Sequence, residues 1–66
     1  MIVNGKTISL NSLSKNSIPG LLEFLNLSPT TIAIEKNGEI LEKDSWEKEE
    51  IKDSDSIEII KFVGGG

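Results

Sequence analysis

Ser56-Ile57-Glu58-Ile59-Ile60-Lys61-Phe62-Val63-Gly64-Gly65-Gly66 closes the sequence and decides how the rest of it is read. Successive side chains of a strand point to opposite faces. Alternation therefore assigns residues 56–63 to a strand, with Ile57 and Ile59 on one side and Glu58, Ile60 and Phe62 on the other. Three glycines follow with no polar linker between. Glycine loses more backbone entropy on ordering than any other residue, so Gly64, Gly65 and Gly66 are expected to form a mobile tail. Without side chains they also make the slimmest peptide available, suited to a narrow channel. The group such a tail would deliver is the carboxylate of Gly66. Glycine-rich ends are often inert, and it is the remainder of the chain that favours a functional one.

That remainder lacks the usual tools of catalysis. The 66 residues include no Cys and no His, which removes the thiol nucleophile, the imidazole base and the common zinc ligands. A chain this short forms one domain, 1–66, and does not readily enclose a deep pocket. An enzyme in its own right is not expected. With 36% hydrophobic residues it still supports a core. The net charge of −4, with seven scattered Lys as the only basic residues, argues against nucleic acid. There is no charged segment followed by an apolar run at the start, and no stretch of roughly 20 apolar residues to span a membrane. A cytoplasmic location is expected. The acidic cluster Glu47, Glu49 and Glu50 reads as a solvated face, because it lacks the alternating ligands and central glycine of a calcium loop. No bound metal or cofactor is expected.

Working back from the final strand, Met1–Leu10 reads as a β-hairpin about Asn4-Gly5, the favoured pair for a two-residue type I′ turn. That turn pairs Val3 with Lys6 and Met1 with Ile8. It puts Met1, Val3, Ile8 and Leu10 on one face and Ile2, Thr7 and Ser9 on the other. Residues 11–16 read as a polar loop. Ser17 is the expected N-cap of a helix with Pro19 in its first turn. Ile18, Leu21, Leu22 and Leu25 form its apolar stripe. Gly20 is a weak helix former, and Asn26 is placed to end the helix in a left-handed conformation with Leu27 folding back. A strand at 31–36, a second Asn-Gly turn at Asn37-Gly38 and a short strand at 39–41 follow. Asp44 and Glu47 resemble a capping box, placing a helical turn there with Trp46 at the core edge. Lys52–Asp55 reads as a turn.

The order strand, strand, helix, strand, short strand, strand predicts an α+β roll of the β-grasp, or ubiquitin-like, type. Its mixed sheet has about four to five strands, with one main helix packed across one face. The first and last strands are expected to lie parallel in the middle of it. Ile2, Ile60 and Phe62 then fall on the face away from the helix, and exposed apolar clusters often mark interaction sites. Glu58 on the same face would steer a basic partner.

The stretch Ile32-Ala33-Ile34-Glu35-Lys36-Asn37-Gly38-Glu39-Ile40, then Trp46, then Asp53-Ser54-Asp55-Ser56-Ile57-Glu58-Ile59-Ile60 and the Phe62-Val63-Gly64-Gly65-Gly66 ending resemble the ThiS family. These are the sulfur carriers of thiamin thiazole biosynthesis, and the resemblance covers the whole chain. Two departures are Ser54, where the family usually has Gly, and Gly20, near which a polar or acidic residue is more usual. The resemblance implies that an ubiquitin-activating-type adenylyltransferase uses MgATP to adenylate Gly66. A persulfide from a cysteine desulfurase then supplies sulfur for a thiocarboxylate, and thiazole synthase receives it. Gly64, Gly65 and Gly66 would then enter partner active sites in turn, while the docking face expected from the chain itself, with Ile2, Glu58, Ile60, Phe62 and Val63, is reused for each partner. The molybdopterin-synthase small subunit is a longer carrier with the same chemistry. A protein modifier joined through Gly66 to lysine, and a β-grasp interaction module with inert glycines, are the other readings.

Overall fold

The computed structural model describes residues 1–62. The readings that fall on Val63, Gly64, Gly65 and Gly66 lie outside the described residues.

Two Asn-Gly turns set the registers. Asn4 and Gly5 have φ of 49° and 82°, and Asn37 and Gly38 have 53° and 85°, so both pairs adopt the doubly positive turn that suits strand twist. The first joins β1 (Ile2–Val3) to β2 (Lys6–Thr7), with Val3 opposite Lys6 and Ile2 opposite Thr7. The second joins β3 (Ile32–Lys36) to β4 (Glu39–Leu41). The last strand, β5 (Ser56–Lys61), runs parallel to β1 and antiparallel to β3, giving the order β2-β1-β5-β3-β4. This is the expected mixed sheet with the chain's first and last strands side by side at its centre.

The single α-helix, α1 (Ile18–Leu25), is defined by its ends. Ser17 Oγ accepts the Gly20 amide at 3.2 Å, satisfying one of the free N–H groups of the first turn. At the other end Asn26 is left-handed (φ 59°), its amide bonds Glu23 O, and the Leu27 amide reaches back to Leu22 O at 2.9 Å. That paired bonding satisfies two carbonyls that would otherwise lack partners. Ile18, Leu21 and Leu22 are buried against Ile32, Ile34, Ile57 and Ile59 of the sheet, while Leu25 and Leu27 close the margin.

The structure departs from the sequence reading at several points: the first hairpin has strands of two residues each and does not extend to Leu10, the last strand ends at Lys61, and three further segments differ. The loop 11–16 is not wholly polar in role: a 3₁₀ turn at Leu10–Ser12 delivers Leu13 into the core. Thr31 belongs to a 3₁₀ turn at Pro29–Thr31 rather than to β3. The helical turn in the charged segment begins two residues early, at Lys43–Ser45, with Glu42 at the cap position and no side-chain capping bond. Trp46 explains that shift. It is buried and its Nε1 donates to Leu41 O at 3.0 Å, so the chain must turn as soon as β4 ends. Finally, Gly20 is required by space. A Cβ there would run into the Lys15 carbonyl oxygen, inside any tolerable contact.

The charged segment is also held from behind. Ser17 and Glu50 form a β-bridge, the Ile51 amide bonds Asn16 O at 2.9 Å, and Ile51 is fully buried. Among the described residues no helix is long and apolar enough to cross a membrane.

Candidate functional site

The residues singled out for docking sit on one side of the sheet because β5 alternates strictly. Ile57 and Ile59 face α1, and Glu58, Ile60 and Phe62 face away. On that outer side Phe62 is 61% exposed, Ile60 40%, Ile2 46% and Ile40 61%. The registers decide which of these are neighbours. Ile60 lies opposite Ala33, Glu58 opposite Glu35, and Glu35 opposite Ile40. Phe62 is held beside the same end of β3 by its amide, which bonds Thr31 O at 2.9 Å.

Ile2 lies opposite Ser56, four residues along β5 from Ile60. At 3.2–3.4 Å per residue that is about 13 Å, too far for the two side chains to form one patch. The expected triplet of Ile2, Ile60 and Phe62 is therefore divided. Ile60 and Phe62 stand together at the end of β5 that leads to residue 63, and Ile2 stands alone at its start. Two residues that the sequence reading did not select join the outer face: Ile40, carried there by the register of the second hairpin, and Glu35.

Glu35 and Glu58 form a like-charged cross-strand pair, an arrangement that destabilises a sheet when nothing intervenes. Among the described residues neither makes a salt bridge. The strand lysines cannot help, because Lys6, Lys36 and Lys61 lie opposite Val3, Ile57 and Ile32 and so belong to the helix side. The outer face is thus a small apolar surface with two adjacent carboxylates and, among the described residues, no strand lysine.

The start of β5 is fixed by a group that the sequence left inside a turn. Asp55 is 7% exposed. It accepts the Lys52 amide at 2.8 Å and Asn37 Nδ2 at 2.9 Å, with Lys36 Nζ at 3.5 Å. Burial pushes its carboxyl up, but these donors and the Lys36 charge outweigh that effect and leave it below its ordinary value. Asn37 also accepts the Ser56 amide at 2.9 Å, so one side chain of the second turn ties down both Asp55 and the strand that follows. Among the described residues there is no group of three or more acidic side chains placed to hold a metal ion.

The family model for the ThiS family matches residues 1–66. The chain belongs to the ThiS family. Its likeness to the sulfur carrier protein ThiS of Bacillus subtilis (strain 168) is 36% identity over 64 residues, covering 97% of this chain and 96% of that one. It is also 32% identical over 66 residues to a thiazole synthase of Paramagnetospirillum magneticum (strain ATCC 700264 / AMB-1), where it covers all of this chain but 20% of that protein. The chain thus spans about a fifth of the length of that relative. Among solved structures, the crystal structure of the thiamine biosynthesis protein ThiS from Geobacter metallireducens superposes with a TM-score of 0.78. It shares 32% identity and covers 98% of this chain and 96% of that chain. The ThiS likeness therefore extends over the sheet, the helix and the sequence through Gly66.

Proposed function

We propose that this chain carries sulfur for thiamine biosynthesis as a thiocarboxylate on Gly66, and that it is a substrate of partner enzymes rather than a catalyst. The observation that carries the reading is the nearly end-to-end match to a sulfur carrier protein, with 97% of one chain covering 96% of the other. The chemistry follows from what a carboxylate needs. Its oxygen is a poor leaving group, so an adenylyltransferase of the ubiquitin-activating type joins Gly66 to the α-phosphate of MgATP and releases pyrophosphate. The terminal sulfur of a persulfide, made by a cysteine desulfurase or a similar donor, attacks the acyl carbon and AMP departs. A thiol then cleaves the resulting acyl disulfide, leaving the thiocarboxylate and a disulfide. Gly64, Gly65 and Gly66 bring no side chain into either active site, which favours close approach of the reacting groups.

Docking for adenylation falls to the outer face around Glu58, Ile60 and Phe62, with Val63 beyond and Ile2 peripheral. A basic, partly apolar partner surface would neutralise the Glu35–Glu58 pair. Two thiazole synthases among the relatives, from Paramagnetospirillum magneticum and Magnetococcus marinus (strain ATCC BAA-1437 / JCM 17883 / MC-1), favour thiazole synthase over a pterin-forming enzyme as acceptor. ATP–pyrophosphate exchange by the adenylyltransferase tests the first step. The exchange should depend on this chain and vanish when Gly65 and Gly66 are deleted. Exchange that survives the deletion would remove Gly66 from the chemistry.

A further inference from the structure

On the helix side of β5, next to its last described residues, the fold leaves a groove of about 460 Å³. Its walls are Val3, Ile8, Leu25, Leu27 and Ile59, with Lys6 and Lys61 as its charged residues. The groove exists because two neighbouring strands differ in length. β1 pairs with β5 only at Ile2 and Val3 before the chain turns away at Asn4, whereas β5 continues to Lys61. The Asn4 side chain covers the next position. Its Oδ1 accepts the Ile59 amide at 2.6 Å and its Nδ2 donates to Ile59 O at 3.2 Å. One residue pair further on, nothing among the described residues takes that place. Since the Phe62 amide is directed to Thr31 of the β3 side, the amide and carbonyl of Lys61 are directed to the groove side.

We propose that this groove is a second docking site, for an extended segment of thiazole synthase that adds to the open edge at Lys61, seats an apolar side chain among Leu25, Leu27 and Ile59, and sets carboxylates against Lys6 and Lys61. The proposal rests on the carrier reading, which supplies the need for a second partner. Strand addition provides backbone hydrogen bonds for affinity and a side-chain pocket for selectivity. The charge of the groove names the chemistry of its occupant. In a chain of net charge −4, the groove bears two lysines and no acid, while on the outer side of the sheet Glu58 of β5 stands opposite Glu35 of β3 with no strand lysine among the described residues. Surfaces of opposite sign on the two sides of one strand complement different partners, so the carrier presents a face to each instead of reusing one.

The test is calorimetric titration of thiazole synthase with the uncharged carrier, its Lys6→Glu/Lys61→Glu variant and the milder Lys6→Gln/Lys61→Gln variant. In parallel, the adenylyltransferase and a persulfide donor are used to follow thiocarboxylate formation on each. Affinity for thiazole synthase should fall by about tenfold or more with the glutamate pair and by several-fold with the glutamine pair, thiocarboxylate yield being unchanged. Affinity within about twofold of the unaltered chain for both variants overturns the proposal. So does a shift of the Asn4 and Leu27 amide resonances when Gly64–Gly66 are deleted from the free protein, since the chain's own end would then be the occupant. A chain that binds thiazole synthase but never gains sulfur contradicts the carrier chemistry instead, and the affinity ratios still decide the groove.

Discussion

The carboxamide of Asn4 pairs with both backbone groups of Ile59, accepting its amide at 2.6 Å and donating to its carbonyl at 3.2 Å, and so serves as one more residue of β1 after the main chain has turned away. The same residue holds φ at 49°, a conformation that asparagine tolerates better than most side chains. Asn4→Gly keeps the turn and loses the two bonds. It should cost about 1–2 kcal/mol in urea unfolding. Asn4→Ala adds left-handed strain of about 1 kcal/mol more. Equal stability of the two variants would separate the turn from the strain argument.

Gly20→Ala makes the opposite wager to helix propensity. In an exposed helix the change would gain about 1 kcal/mol. Here the new Cβ would run into the backbone carbonyl oxygen of Lys15, which does not yield without moving the loop before the helix. A net loss of about 2 kcal/mol or more is expected. A higher midpoint of thermal unfolding for the alanine variant would show that the loop gives way freely.

These two positions also mark where sequence reasoning succeeds and where it stops. Both Asn-Gly turns were legible because the turn type demands those residues, and each turn set a register. The Ser17 and Asn26 caps were legible for the same local reason, and the alternation of Ile57, Ile59, Ile60 and Phe62 assigned the two faces of β5. Leu13 and Ile51 were not legible as core, since a lone apolar residue between polar neighbours carries no periodicity. Nor was the approach of Lys15 to Gly20 or the burial of Asp55, both of which arise from segments brought together only by folding. Ile2 was given its correct face but the wrong neighbours. The alternation of one strand says nothing about its offset along a parallel partner.

Asp55 makes the fold sensitive to acid in a defined direction. Its carboxyl is held below its ordinary value of 3.8, so in the unfolded chain it takes up a proton at a higher pH than in the folded one. The stability it contributes is complete above about 3.8 and is lost as the pH falls through the lower folded value. Asp55→Asn should lower stability at neutral pH and flatten the acid limb of the stability profile. A profile of unchanged slope would assign acid unfolding to other carboxylates.

For the outer face, position along β5 sets the expected order of effects. Phe62→Asp and Ile60→Asp should each weaken binding to the adenylyltransferase by about tenfold or more, by replacing a buried apolar contact with a group that is costly to desolvate. Ile2→Asp, about 13 Å away along the strand, should weaken it by about threefold at most. Glu35→Lys should weaken it as well if a basic surface docks there. Comparable losses at Ile2 and Phe62 would mean that the partner covers the sheet from end to end.

Sulfur loading is tested most directly by the intact mass of the protein after incubation with MgATP, the adenylyltransferase, a persulfide donor and a thiol. The predicted result is a gain equal to replacement of one oxygen by sulfur, located at Gly66 by fragmentation and absent when Gly65 and Gly66 are deleted. An unchanged mass, with the same enzymes charging a known ThiS carrier, would contradict it and reduce the chain to a binding domain of the β-grasp fold.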